Sequence, residues 1–316
     1  MTAALSHLSY SQLTSYAECP LKYRLKRRDR IPDATWFATL AGSAIHQVTE
    51  EQDRLEWAGI EWDLEEAVER FHELFKRAIE DAAEKGEVVK ASGRVLKEDG
   101  WTGGPNKKDR LWWIKFGPLI LERYLTWKRS NGYRLAELDG APAVEVAFEF
   151  ELIDSDGIPV VVRGSIDRVM QKILSKEFTV VDLKTGAVPG NHLQLDTYSL
   201  AWRSLTGSPA HWGAYWSPSG KDESGLVTGP FPLHGDVDLL SDIYHSARRG
   251  IEAEAFPPNV NAFCSSCGVR DYCPAQNGLA AVNKLDEHRR IHAESDSEPA
   301  ESIPGDGKDG HDEPHA

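Results

Sequence analysis

The stretch that decides the fold is VVVRGSIDRVMQKILSKEFTVVDLKTG, residues 160–186. Its two runs of β-branched and apolar residues predict two successive β-strands, one ending near residue 170 and the next at Gly186. Residues two apart in a strand point to the same face, so Asp182 and Lys184 are expected to project together. A neighbouring strand can bring Asp167 alongside them.

This pattern suits phosphodiester chemistry. Two carboxylates are the hard oxygen ligands that Mg²⁺ or Mn²⁺ prefers, and a lysine beside the ion can orient or deprotonate a water, or stabilise charge. An acid-x-Lys triplet also arises by chance, and is then a surface ion pair at a strand end. The apolar strand before Asp182, the turn after Lys184 and the second aspartate, Asp167, favour a hydrolytic site.

The rest of the chain predicts an α/β (α+β) fold with a helical insertion. The first 130 residues are mostly helical in pattern: a helix entered through Ser9 with Gln12 as its capping-box partner, two arms between about Thr39 and Ala83, and a helix that follows the loop KEDGWTGGPNKK. A hairpin with strands near 144–152 and 159–170 comes next. Further strands are expected at HWGAYWSP and near GLVTGPF. The predicted helix NHLQLDTYSLAWRSL precedes the first of these strands, and the predicted helix DVDLLSDIYHSARRGIEA follows the second.

The net charge of −14 is unevenly spread. From Glu294 onward the chain has eight acidic residues and one lysine, the composition of a disordered tail. Basic residues cluster in KYRLKRRDR (22–30) and in GGPNKKDRLWW, where Lys107, Lys108 and Arg110 precede Trp112. Basic and aromatic residues together suit phosphate contact and base stacking in DNA. Each stretch by itself fits a solvated helix face equally well.

Four cysteines point to a metal or redox centre. Cys264, Cys267 and Cys273 have the spacing C-x2-C-x5-C, and Cys19 lies far upstream. Spacing by itself leaves open a zinc knuckle completed by a histidine, with Cys19 simply buried. The chain has no apolar run of eighteen residues and begins without a signal-peptide pattern, so a cytoplasmic protein without membrane contact is expected.

Six motifs in order carry a resemblance to a known family: LSYSQLTSYAECPLKYRL, GSAIHQVTE, VRGSIDRV, VVDLKTG, QLDTY and CSSCGVRDYCP. The chain resembles the PD-(D/E)XK nuclease superfamily over about residues 5–280, most closely the RecB-like exonuclease group with its iron–sulfur AddB nuclease domain and cluster-bearing CRISPR adaptation nucleases. The resemblance implies one domain over 1–285, with a helical insertion at about 36–130, a restriction-endonuclease-like core of mixed sheet and flanking helices at about 140–250, and an acidic disordered tail over 286–316.

The resemblance also implies a metal site. His46 would be a third ligand beside Asp167 and Asp182, the backbone carbonyl of Leu183 would complete the protein's share, and Lys184 would be the catalytic lysine. A helix histidine is otherwise more often structural than a ligand.

Further roles follow from the resemblance. Gln194 and Tyr198 match the Q-x3-Y element and, at i and i+4, share one helix face; they would contact the DNA backbone near the scissile phosphate. Glu145 lies in the strand that such nucleases often begin with an acid. Without the family, Gln194 and Tyr198 would be ordinary helix positions.

For the cysteines, the resemblance implies that Cys19, Cys264, Cys267 and Cys273 bind a 4Fe–4S cluster, with Zn²⁺ as the alternative. Such a cluster would tie the first helix to the last segment across nearly the whole fold. Closing so long a loop contributes on the order of 4–5 kcal/mol if it acts like a covalent cross-link.

The expected function is therefore a Mg²⁺- or Mn²⁺-dependent DNA exonuclease acting on single strands or DNA ends in recombination, repair or phage or CRISPR DNA processing. No Walker A sequence is present, so the enzyme works unpowered or joins a separate helicase or recombination protein. The alternatives are a non-catalytic DNA-binding subunit and a redox or iron-sensing regulator. The presence of Asp167, Asp182 and Lys184 together favours the nuclease.

Overall fold

The computed structural model describes residues 5–87, 89–91, 108–130, 132–218 and 230–295. The helices are α1 (Tyr10–Glu18), α2 (Pro20–Arg27), α3 (Phe37–Trp57), α4 (Leu64–Glu84), α5 (Arg110–Ser130), α6 (Leu193–Thr206), α7 (Val237–Glu252) and α8 (Pro274–Ser295). The strands are β1 (Tyr133–Leu135), β2 (Glu137–Leu138), β3 (Ala141–Pro142), β4 (Val144–Ile153), β5 (Pro159–Lys172), β6 (Phe178–Leu183), β7 (Trp212–Trp216) and β8 (Phe231–Pro232). Two short 3₁₀ turns, Ala262–Ser266 and Arg270–Tyr272, lie in the cysteine segment.

A mixed sheet forms the centre of the fold. Its strand order is β1–β5–β6–β7–β8, and β4 also pairs with β5. Strands β4, β5 and β6 are antiparallel neighbours, whereas β6 and β7 are parallel. Parallel neighbours need a crossover connection, and α6 lies between them in the chain. The α/β fold class predicted from the sequence is confirmed.

Helices cover both faces of this sheet. The first core joins one face to α1, α6 and α7, and the second joins the other face to α3, α4 and α5. Strand residues alternate between the two cores, as Val180 and Val181 do on β6 and Tyr215 and Trp216 on β7. The segment predicted as a helical insertion thus shares a hydrophobic core with the sheet.

The N-terminal region begins as expected and then differs. Ser9 and Gln12 form the predicted capping box, each accepting the other's backbone N–H at 3.2 Å. The single helix expected here is two helices, because Cys19 adopts an extended conformation between them. Pro20 explains the break, since proline lacks an amide hydrogen and disfavours helical backbone in the residue before it.

Two other boundaries are corrected, and one expected strand is described only in part. Strand β6 ends at Leu183, not at Gly186, and the strand expected near GLVTGPF is described only at its end, Phe231–Pro232, because residues 219–229 lie outside the described residues. Residues 286–295, expected to belong to the disordered tail, are instead part of α8, which ends at Ser295. The remaining residues of the expected tail lie outside the described residues.

Contacts with the N-terminal region explain the longer α8. Leu285 packs with Leu25 in a small apolar cluster, and His288 and Arg289 both bind Asp29. These contacts hold α8 against the N-terminal region as far as Arg289. In the described part of the chain, no helix is both long enough and apolar enough to cross a membrane.

Candidate active site

Three acidic residues lie side by side across β4, β5 and β6. The register of β4 against β5 sets Glu145 opposite Asp167. Continued by one residue, the register of β5 against β6 sets Asp182 opposite Asp167 on its other side. Side chains that face each other across antiparallel strands lie about 5 Å apart at Cβ. The topology therefore gathers the carboxylates that the sequence placed near strand ends.

The regular alternation of β4 breaks at this point. Val144 packs in the second core and Val146 in the first, although residues two apart in a regular strand share a face. Glu145 between them has a φ of +48°, in the left-handed region, which costs a residue with a side chain about 1–2 kcal/mol. Irregular strand positions of this kind re-aim side chains and concentrate at functional sites.

Helix α3 brings an imidazole to the acids. His46 Nδ1 lies 3.7 Å from Asp167 Oδ2. The close approach of the helix depends on Gly42, one turn before His46, because a Cβ there would lie only 2.7 Å from Thr185 Oγ1. The sequence GSAIH thus places its smallest residue where α3 meets the turn after β6, and its histidine one turn further on.

Among the described residues, one group of side chains has donor atoms close enough to share a metal ion. His46, Glu145 and Asp167 each offer one atom, and these atoms all lie within 4.8 Å of one another. Two carboxylates and an imidazole fit Mg²⁺ or Mn²⁺. The three side chains border a cleft of about 710 Å³ that Glu50 and Thr185 also line. We refer to them as the His46–Glu145–Asp167 group.

Asp182 and Lys184 form an ion pair next to this group. Lys184 Nζ lies 2.6 Å from Asp182 Oδ2, and the Asp182 side chain is 1% exposed. Burial and the charge of Asp167 raise the pKa of Asp182 to about 7, while Lys184 opposes the rise. The Leu183 backbone N–H donates to Asp167 Oδ2 at 2.9 Å. Asp182 is not a member of the His46–Glu145–Asp167 group, so its role as a metal ligand stays a prediction.

Electrostatics in the cleft favour a bound cation. The His46 side chain is 31% exposed, and burial lowers its pKa despite Asp167, which leaves a neutral ring with a lone pair for a metal. The backbone of Leu183, the residue whose carbonyl was predicted as a ligand, partly opposes this lowering of the His46 pKa. Burial and Asp167 raise the pKa of Glu145. A divalent cation would relieve this crowding of negative charge.

The Gly42 contact yields a prediction. Gly42→Ala is expected to weaken Mn²⁺ binding about tenfold, since overpacking typically costs 1–3 kcal/mol and here pushes α3 away from Asp167. Calorimetric titration of the full chain measures it. The double variant Gly42→Ala/Thr185→Ala removes the clashing Oγ1 and is expected to bind as Thr185→Ala does. Equal weakening in the single and double variants would contradict the steric explanation.

Gln194 and Tyr198 share one face of α6, as predicted, but that face is turned inward. The Gln194 amide donates to the Tyr198 hydroxyl at 2.8 Å, and both side chains are buried. Burial, then the charges of Asp167 and Asp182, raise the pKa of Tyr198 well above its ordinary value. The pair therefore lies near the carboxylates, and its predicted contact with the DNA backbone stays a prediction.

The basic and aromatic stretch before α5 is only partly described. Lys107 lies outside the described residues. Lys108 Nζ stands 4.8 Å from the ring centre of Trp112, Trp112 stacks on Phe116, and Arg110 begins α5. The residues that line the cleft do not include Lys108, Arg110 or Trp112. Their role in DNA binding is untested.

The four cysteines border a second cavity. Cys19, Cys264, Cys267 and Cys273 all line a space of about 580 Å³ between the α1–α2 junction and the C-terminal segment. They are unpaired, and among the described residues their sulfurs do not form a group within 4.8 Å of one another.

Backbone amides point at these sulfurs. Asn259 N–H donates to Cys19 Sγ and Asn261 N–H to Cys264 Sγ, each at 3.4 Å. Burial raises the pKa of the Cys267 thiol, and a hydrogen bond from the Val269 backbone opposes the rise. Hydrogen bonds of this kind stabilise thiolates that bind metal. The cavity therefore has the donor set for a metal centre.

Little in the sequence indicates the roles of Glu145 and Arg168. Glu145 drew attention only as an acid near a strand start, yet it belongs to the His46–Glu145–Asp167 group. Arg168, fully buried directly after Asp167, was not considered. The one signal in the sequence was a charged residue in an apolar strand, which normally marks a paired charge.

The chain matches a family model and is similar to known proteins. The family model of the PD-(D/E)XK nuclease superfamily matches residues 7–274. The Gene 69 protein of Mycobacterium phage D29 is 30% identical over 275 residues, covering 84% of this chain and 96% of the phage protein. The Gene 69 protein of Mycobacterium phage L5 is 28% identical over 306 residues, covering 84% and 95%. A solved structure, "Crystal structure of SSO0001", aligns over 87% of this chain and 89% of its own at 12% identity with a TM-score of 0.39.

Proposed function

Because the chain belongs to the PD-(D/E)XK nuclease superfamily, we propose that it is a Mg²⁺- or Mn²⁺-dependent DNA exonuclease that degrades single-stranded DNA or DNA ends. The observation that carries this proposal is the convergence of His46, Glu145 and Asp167 within 4.8 Å, beside the Asp182–Lys184 ion pair. A chain that only bound DNA would have no use for a lysine held at a cluster of metal-binding groups.

The side chains suggest a division of labour. His46, Glu145 and Asp167 would hold the cation, with Asp182 and the Leu183 carbonyl as further ligands. Bound there, the cation would polarise a phosphodiester oxygen and acidify a water ligand. Lys184 lies directly after the end of β6. From there its ammonium group would orient the attacking water and stabilise charge on the phosphate. The ion pair with Asp182 holds that ammonium in place.

We extend the proposal to the second cavity, as the site of a 4Fe–4S cluster bound by Cys19, Cys264, Cys267 and Cys273. All four cysteines border one space, and backbone amides point at the sulfurs of Cys19 and Cys264. A tetrahedral zinc site requires four sulfurs packed tightly around one ion. Zn²⁺ bound by the same four cysteines is the alternative, and the metal content of the purified protein separates the two. The nuclease would work unpowered or with a separate helicase or recombination protein.

Cleavage of end-labelled single-stranded DNA tests the proposal. The wild-type chain, purified anaerobically, is expected to degrade the DNA with Mn²⁺ and to stop when a chelator is added. Asp167→Asn is expected to lower the rate more than about 100-fold, since even the neighbours of metal ligands typically contribute 10–100-fold. Separate 5′ and 3′ labels report the polarity of digestion.

The matched control is Asp242→Asn, which changes an exposed aspartate on α7, away from the cleft. It is expected to cleave as the wild type does. DNA binding without cleavage by the wild type in either metal would favour the non-catalytic DNA-binding subunit. Equal cleavage by wild type and Asp167→Asn would reject the site.

A further inference from the structure

A buried charge network lies beneath the His46–Glu145–Asp167 group. Arg168 and Asp53 are both 0% exposed, and Arg168 Nε lies 2.5 Å from Asp53 Oδ2. Tyr124 donates to the same carboxylate at 2.6 Å, and Lys128 Nζ lies 2.5 Å from its other oxygen. Burying such charges costs free energy that the pairing seldom exceeds, so stability by itself is a weak reason to keep them. The network joins β5 to α3 and α5.

The guanidinium of Arg168 reaches every member of the group. Its Nη1 donates to the backbone carbonyl of Asp167 at 2.6 Å. The same nitrogen lies 3.5 Å from Glu145 Oε1. Its Nη2 donates to Thr49 Oγ1 at 3.2 Å. That hydroxyl in turn donates to the backbone carbonyl of His46 at 2.9 Å. One side chain thus contacts two members directly and the third through a single hydroxyl.

We propose that Arg168 is a positioning residue that fixes the relative placement of His46, Glu145 and Asp167. The planar guanidinium has five donors in a fixed fork, so it can hold a strand carbonyl, a carboxylate and a helix hydroxyl at set angles at the same time. Arg168 is fully buried and is not among the residues that line the cleft. It acts by joining the turn of α3 that carries His46 to the strand that carries Asp167. This inference rests on the proposed function, which assigns a metal ion to the group.

Two variants separate positioning from simple stabilisation. Arg168→Lys keeps a positive charge beside Asp53 but loses the fork, and it is expected to raise the Kd for Mn²⁺ about 10- to 100-fold, the usual effect of removing a partner of a metal ligand. Thr49→Val keeps the shape of the side chain and removes only the link to His46. It is expected to raise the Kd for Mn²⁺ about tenfold. If Arg168→Lys does not fold, Thr49→Val still tests the proposal.

Tyr124→Phe is the matched control. It removes one buried hydroxyl, which donates to Asp53 Oδ2 at 2.6 Å and accepts from Arg168 Nε at 3.3 Å. Both Nη atoms of Arg168 keep their contacts with Asp167, Glu145 and Thr49. Loss of this hydrogen bond is expected to lower the free energy of unfolding, so the loss of thermal stability should equal or exceed that of Thr49→Val. The Kd for Mn²⁺ is expected to stay within about twofold of the wild-type value.

The experiment is calorimetric titration of the full-length wild type and each variant with Mn²⁺, with thermal unfolding measured without metal in parallel. DNA cleavage by Arg168→Lys is expected to approach the wild-type rate at saturating Mn²⁺, because the ligands themselves are intact. Wild-type affinity in both Arg168→Lys and Thr49→Val, or a loss of affinity in Tyr124→Phe as large as theirs, would overturn the proposal.

The His46→Ala variant separates this failure from failure of the metal site. If the wild type binds Mn²⁺ and His46→Ala does not, normal binding by Arg168→Lys and Thr49→Val rejects only the role of Arg168. If the wild type binds no Mn²⁺, or His46→Ala binds as tightly as the wild type, the metal site falls and the role of Arg168 falls with it.

Discussion

Replacement of Lys184 by alanine is expected to reduce the rate of DNA cleavage about 10³-fold, the usual contribution of a general base or a charge-stabilising group. The ammonium group lies 2.6 Å from Asp182 and beside the proposed metal ligands, where it can act on the water and the phosphate. Because Lys184 binds no cation itself, the Kd for Mn²⁺ is expected to stay at or below its wild-type value. The expected loss of activity is therefore a decrease in kcat.

Single-turnover cleavage at saturating Mn²⁺ measures this effect, with DNA binding followed in Ca²⁺ or without metal. Lys76→Ala is the control, because it removes a lysine that pairs with Glu80 at 3.7 Å on the exposed surface of α4. It is expected to cleave normally. Full cleavage by Lys184→Ala would remove the catalytic assignment, whereas a loss explained wholly by weaker Mn²⁺ binding would make Lys184 part of the metal site instead.

Local rules identified Asp167, Asp182 and Lys184, whereas His46 was implied only by the family resemblance. The apolar strand before Asp182 and the turn after Lys184 marked a strand end, and the strand period predicted that these two side chains project together, as their ion pair shows. These features depend on residues a few positions apart, which is the range over which sequence patterns are informative.

Features that depend on distant residues could not be predicted. Arg168 and Asp53 are separated by 115 positions, and nothing near either one identifies the other as its partner. The role of Glu145 depends on a left-handed backbone conformation that changes the phase of β4, whereas the sequence of that strand predicts regular alternation. The inward face of α6 at Gln194 and Tyr198 was missed for the same reason, since only the sheet packed against it decides which face is buried.

The second cavity is connected to the active site through a short segment of chain. A Cβ on Gly268 would lie 1.7 Å from Asp33 Oδ1 and 2.5 Å from the Ala34 amide nitrogen, so the cysteine segment packs directly on the residues that lead into α3. Helix α3 begins at Phe37 and carries His46. Displacement of the cysteine segment would therefore be transmitted to the helix that supplies the imidazole. Changes at the cysteines are therefore expected to alter the position of His46 relative to the carboxylates.

The contact between the cysteine segment and the residues before α3 leads to a second prediction with a large expected effect. Cys19→Ala is expected to lower the free energy of unfolding on the order of 4–5 kcal/mol, the value for closing so long a loop by a cross-link. Natural domains are stable by only about 5–15 kcal/mol, so much of the margin would be lost. The brown colour of the anaerobically purified protein is expected to bleach, and cleavage to fall because α3 is no longer fixed near Asp167.

Iron and sulfide content, the visible spectrum and thermal unfolding measure these changes. Ser265→Ala is the matched control, because this exposed residue lies between Cys264 and Cys267 and its hydroxyl donates to the nearby Ala262 carbonyl at 3.1 Å. It is expected to keep both the colour and the stability. A colourless wild type with one zinc per chain would replace the cluster by zinc and leave the cross-link intact. A Cys19→Ala protein with full iron content and wild-type stability would show that the first helix is not tied to the C-terminal segment, because the remaining three cysteines would then hold the cluster unaided.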